Sequence, residues 1–83
     1  MDTLAAVIGR LKQLIDEQGT NVNALSNMAG VPQATVKSIL NGESLNPGIV
    51  TLKKIIDGFE NPKVTLADFF GTETFRRLEQ EMQ

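Results

Sequence analysis

Apolar residues recur along this chain at three- and four-residue spacing, and no stretch alternates apolar with polar, so the pattern predicts helices and no strands. The first helix is expected over residues 3–18. Leu4, Val7, Ile8, Leu11, Leu14 and Ile15 form its stripe, Asp2 caps it and Gly19 stops it. A short helix follows over 22–29, capped by Asn21, with Leu25, Met28 and Ala29 on its apolar face. Gly30 and Val31-Pro32 interrupt the pattern, because proline lacks an amide donor and holds the residue before it extended. The third helix runs over about 33–40, with Val36, Ile39 and Leu40 inward, and ends at Asn41-Gly42. After a polar loop, residues 49–59 read as a fourth helix with Leu52, Ile55, Ile56 and Phe59 on one side. Asn61-Pro62 marks a turn. Thr65 caps a fifth helix over 66–70, Gly71 breaks it, and Thr72 caps a last helix through 80. The fold class is therefore all-α.

Length changes the picture first. Eighty-three residues suit one compact domain, 1–83, with its core at about 4–70 and an added C-terminal helix at 72–80. Cys and His are both absent, which leaves no disulfide, thiol nucleophile, imidazole base or structural zinc site. No glycine loop cradles a phosphate, and the adjacent Asp16 and Glu17 sit at a helix end, not in a cleft. The expectation is a protein that is not an enzyme, with no cofactor, no metal and no evident small-molecule ligand. No apolar run approaches the ~20 residues that span a bilayer, and the first residues lack the order of a signal peptide. A soluble, cytoplasmic protein with no membrane partner is expected.

The informative stretch is 22–42, where two short helices are joined by a tight turn. Two helices crossing steeply need a compact turn and small or apolar contact positions. Leu25 and Ala29 anchor the first helix, Gly30 supplies the turn, Val31 packs beneath it, Val36 and Ile39 anchor the second, and Ser26 is small enough for close approach. With that spacing, the segment resembles the Cro/repressor-type (lambda repressor-like) helix-turn-helix of the XRE family of bacterial and phage regulators. The resemblance runs from about Ile8 to Phe70. It includes Asn41-Gly42, Asn46-Pro47 and the short run Leu66-Ala67-Asp68-Phe69-Phe70. It implies a five-helix bundle, to which the helix after Thr72 is an addition. It also implies a DNA-binding transcription regulator, in most cases a repressor.

By that resemblance, helix 33–40 enters the major groove and reads base edges with its N-terminal residues. Gln33 suits adenine, whose N6 and N7 an amide bonds bidentately. Ala34 suits a thymine methyl. Thr35 reaches a base or a phosphate, and Lys37 and Ser38 lie one turn further on. Asn41, Ser44 and Asn46 are expected at backbone phosphates, with the amides that start the second and fourth helices. The chain also departs from the family. Val22 stands where many members carry a glutamine that braces the reading helix or binds phosphate. Ser26 stands for an alanine, and Leu40 for a glutamate near the end of the reading helix.

Charge keeps a second reading open. The net charge is −2, with the acid concentrated after residue 57 and a mildly basic middle. The expected partner is double-stranded DNA, bound by a homodimer on two half-sites. Phe69, Phe70, Phe75 and Leu78 are either the dimer contact or the closure of the core. The alternative is a protein-interaction module, antitoxin-like or an adaptor, that keeps the fold. A positive face around Gln33, Lys37 and Ser44 favours DNA, and a neutral one favours the adaptor. Lys53 and Lys54 read as a solvated face, and Arg76, Arg77, Glu79 and Glu81 as spaced charges that support the last helix.

Overall fold

In the computed structural model, which describes residues 2–81, the chain forms six helices. They are α1 (Thr3–Glu17), α2 (Val22–Ala29), α3 (Gln33–Leu40), α4 (Ile49–Asp57), α5 (Leu66–Phe70) and α6 (Glu73–Glu81). No strand occurs among the described residues; a single isolated bridge pairs Glu60 with Lys63. The fold is all-helical, as the pattern predicts, and agrees with the bundle that the resemblance implies.

The helix starts follow their capping residues. The Ala5 amide donates to Asp2 Oδ1 at 2.7 Å, and the Ala24 amide to Asn21 Oδ1 at 2.9 Å. Thr65 and Asp68 form a reciprocal capping box at the head of α5. Three boundaries differ from expectation, and of these α6 merely runs one residue further, to Glu81. α1 ends at Glu17, with Gln18 as its cap, because Gly19 at φ 62 turns the chain back: the Thr20 amide reaches the Ile15 carbonyl at 3.1 Å. α4 ends at Asp57, so Phe59 lies beyond the helix, yet it is fully buried.

One apolar cluster draws on all six helices, with Leu11, Leu25, Val36, Ile39, Ile55, Ile56, Phe59 and Phe69 at its centre. α2 packs against both α3 and α4. Its buried side is Leu25 and Ser26, with Val22 and Ala29 packed against the cluster. Met28, expected inward, is 53% exposed. The stripe that faces the core is 22, 25, 26, 29, and it ends on the small Ala29 because α4 comes close there. A Cβ on Gly58 would lie 3.0 Å from Ala29 Cβ and 3.1 Å from the Ala29 nitrogen. The Ser26 hydroxyl, though buried, donates to the Asn23 carbonyl at 2.8 Å, so burying it leaves no unmet donor. Gly9, inside α1, faces open space: nothing lies within 4 Å of where its Cβ would be.

The C-terminal aromatics close the core. Phe69 and Phe75 are buried, and Phe70 and Leu78 pack against the cluster half-buried. Phe69–Phe70 and Phe70–Phe75 meet edge-to-face, at 4.9 and 5.0 Å between ring centroids. Closure of the core is what Phe69 and Phe75 do, while Phe70 and Leu78 keep part of their surface exposed. Within α6 the observed ion pair is Arg77 with Glu73, at 3.4 Å; the Glu81 side chain lies outside the described residues.

Candidate nucleic-acid interface

α3 is held by what surrounds it. Val36 and Ile39, both 1% exposed, face the core, and the half-buried Leu40 packs beside them. Its N-terminus follows the turn at Gly30, where φ is 68 and ψ is 32, a left-handed conformation open to glycine. The Val31 amide donates back to the Ser26 carbonyl at 3.1 Å, and Val31 is buried beneath the turn. Pro32 then fixes the approach to α3. The carbonyl of Pro32 accepts from the Thr35 and Val36 amides at 3.0 and 3.2 Å.

The C-terminus of α3 is closed by Gly42, at φ 75. The Gly42 amide donates to the Ile39 carbonyl at 3.1 Å. The Glu43 and Ser44 amides both reach the Ser38 carbonyl, at 2.9 and 3.2 Å. The start of the 41–48 loop is therefore fastened to the last turn of α3 and moves with it.

With one side of α3 committed to the core, the other carries the expected reading residues. Gln33, Ala34, Lys37 and Asn41 are exposed, at the spacing of one helix face. Thr35 and Ser38 are half-buried at its margins. In the loop, Ser44 is half-buried and Asn46 exposed. The structure thus gathers the eight predicted positions on α3 and the loop tied to it. An eight-residue helix is ~12 Å long, and the major groove is ~12 Å wide.

The start of α4 keeps its amides open as expected, that of α2 is capped by Asn21, against the expected phosphate contact, and two features were not foreseen: the open start of α3 and an apolar one. α3 and α4 start without a side-chain cap, at Pro32 and Gly48, whereas α1, α2 and α5 are capped. The amides of Gln33 and Ala34, and of Ile49 and Val50, are thereby left for outside acceptors, as a phosphate-binding helix start requires. The other feature is apolar. Leu45 is 80% exposed, and the start of α4 is exposed as well. Leu45 lies between the polar Ser44 and Asn46, and that was the signal in the sequence.

The face is close to neutral. Lys37 is its one cation, and the exposed Glu43 follows in the loop. Lys53 on α4 is held by Asp57 at 2.6 Å. Among the described residues no cluster of acids comes together to hold a metal. A groove of about 530 Å³ lies between α1 and the start of α6, and no residue of α3 lines it.

A family model described as helix-turn-helix matches residues 11–63. The match spans α2, the turn, α3 and α4, and it excludes α5 and α6. No curated protein and no solved structure matches the chain.

Proposed function

The chain belongs to the XRE-type helix-turn-helix family of DNA-binding transcription regulators, and from that premise we propose that it is a sequence-specific repressor. In this reading residues 1–83 act as one DNA-binding domain in the cytoplasm, without catalytic activity. α3 lies in the major groove, and the protein blocks transcription by occupying its operator. The observation that carries the reading is the division of α3 into two sides. Val36 and Ile39 fasten it, and Gln33, Ala34, Lys37 and Asn41 are presented together.

Each residue then has a role set by its chemistry. The Gln33 amide pairs with adenine N6 and N7, and the Ala34 methyl meets a thymine methyl. Lys37 neutralises a phosphate or reaches a base acceptor. Thr35 and Ser38 offer hydroxyls at the edges of the helix. Asn41, Ser44 and Asn46 hold the backbone, together with the uncapped amides that start α3 and α4. Phosphate contacts set position, and Gln33 and Ala34 set sequence.

A second reading is favoured by one observation, the near-neutral reading face. An antitoxin-like or adaptor protein that docks another protein on α3 needs no positive charge there. Selection from a randomised duplex library separates the two. The regulator enriches a dyad-symmetric site, its affinity falls as salt rises, and Gln33→Ala loses the preference. No enrichment at ~50 mM salt, where phosphate attraction is strong, refutes sequence-specific recognition and leaves the protein-docking reading.

A further inference from the structure

The groove of about 530 Å³ between α1 and the start of α6 falls within the ~300–1,000 Å³ usual for small-molecule sites. Of its lining, only Gln13 falls within the matched residues 11–63, so the groove belongs to what this chain adds around the family domain. Two residues in its wall, Gly9 and Arg10, are poorly explained by the needs of the fold. Gly9 sits inside α1, where glycine weakens a helix. Its backbone is helical, so no turn requires it, and nothing lies within 4 Å of where a Cβ would be, so no neighbour requires it. What the missing side chain leaves is room in the groove.

Arg10 is half-buried and carries a charge that no acid answers. Its Nη1 donates to Gln13 Oε1 at 2.9 Å and its Nη2 to the Asp68 carbonyl at 3.3 Å, both neutral acceptors. The Asp68 carboxylate is engaged by the Thr65 amide at the head of α5, and among the described residues no carboxylate pairs with Arg10. Arg10 Nε is out of reach of water and has no acceptor. A buried donor without a partner costs stability, so an acceptor brought from outside is favoured there.

We propose that this groove binds a small organic carboxylate, a monoanion with a short apolar body, whose oxygens bond Nε and Nη2 of Arg10. A carboxylate meets a guanidinium through two parallel N–H bonds, and charge makes these stronger than bonds to neutral acceptors. The bond from Nη2 to the Asp68 carbonyl is longer than the usual ~2.7–3.2 Å. The incoming oxygen replaces it, while Gln13 keeps hold of Nη1. Charge and lining choose the class. The one unanswered cation calls for one negative charge. Glu73 stands in the same wall, with Arg77 as its partner at 3.4 Å, and it repels a dianion such as phosphate more than a monoanion. The apolar body follows from Ala5, Ala6, Gly9 and Phe75, which line the groove beside Arg10. α1 packs on both α6 and α3, so an occupant lies one helix away from the reading helix.

The test is NMR of the full chain titrated with hexanoate, with hexanol and inorganic phosphate as controls. No DNA is needed, since no residue of α3 lines the groove. Hexanoate should give saturable shifts of the Gly9, Arg10 and Thr74 amides and of the Arg10 Nε–H, with a Kd in the millimolar range expected of so small a molecule. Hexanol, which lacks the charge, should bind about tenfold more weakly or worse, and phosphate should not saturate those signals. Arg10→Gln should weaken hexanoate by about tenfold or more. Because Arg10 also bonds Gln13 and the Asp68 carbonyl, Gly9→Leu supplies an independent arm. Its side chain enters the open groove, Tm is kept or raised, and hexanoate binding is lost. A wild type without saturable shifts at tens of millimolar hexanoate overturns the proposal. Binding that survives in either variant, or hexanol that binds as well as hexanoate, also overturns it. Phosphate that saturates the same signals as tightly as hexanoate overturns the assignment to a carboxylate.

Discussion

Gly58→Ala tests the packing that positions the reading helix. Gly58 is buried at the end of α4, with an ordinary φ of −71, so alanine meets no backbone penalty there. The obstacle is space. The new Cβ would lie 3.0 Å from Ala29 Cβ, 3.1 Å from the Ala29 nitrogen and 3.1 Å from the Ile55 carbonyl oxygen. Two of these are backbone atoms, which cannot rotate aside: the Ala29 contacts push α2 from α4 by a few tenths of an ångström, and the Ile55 contact strains the end of α4 itself. Overpacking of this kind costs ~1–3 kcal/mol, and removing a glycine from the unfolded chain returns ~0.4–1 kcal/mol. Taking the middle of each range, the net expected loss is about 1.3 kcal/mol, which for a chain of this size lowers Tm by about 4–8 °C per kcal/mol. Urea and thermal unfolding read it. Ala29→Gly in the same background removes the nearest atom, and the double variant should recover ~0.5 kcal/mol or more relative to additivity. A Gly58→Ala protein as stable as the parent, or strictly additive effects, would refute the close contact between α2 and α4.

Four further outcomes are expected. Gly30→Ala places a Cβ in open space but forces it into a left-handed backbone; it should cost about 1 kcal/mol, and Gly30→Asn less, in denaturant titrations of both variants. Gln18→Ala removes an amide that bonds the Pro62 carbonyl at 2.8 Å and the Asn61 amide at 3.2 Å. Its loss should cost ~1 kcal/mol and speed hydrogen exchange at Asn61. Gln33→Ala should leave Tm unchanged and reduce discrimination at one base pair by ~1–3 kcal/mol, measured by competition between duplexes. If two copies each contribute Lys37 alone, log affinity should fall against log salt with a slope of about −2, and Lys37→Ala should flatten it.

Much of the fold was legible because its punctuation is local. Asp2, Asn21 and Thr65 accept hydrogen bonds from amides three residues on, and Gly19, Gly30 and Gly42 turn left-handed where helices end. Such signals need only neighbours in the chain, and α2, α3 and α5 fall at their predicted bounds. Met28 was misjudged because apolar character does not state how near the next helix lies. Only the contact with Gly58, nearly thirty residues away, decides that small residues face inward there. The Gln18 clamp joins residues more than forty apart, and no periodicity announces it. The candidate reading face was legible in composition, since α3 carries polar residues opposite Val36 and Ile39. The exposed start of α4 was not, because Ile49 and Val50 continue the hydrophobic run that the helix core requires.

The two-sided build of α3 also bears on how such a protein can change. Val36 and Ile39 answer to the core, whereas Gln33, Ala34, Lys37 and Asn41 touch little of their own chain. Variation at those four positions is nearly invisible to folding, so a lineage can drift from one target to another without passing through unstable ancestors. A laboratory can take the same route, exchanging the outer residues of α3 as a set while the scaffold beneath them stays as it is.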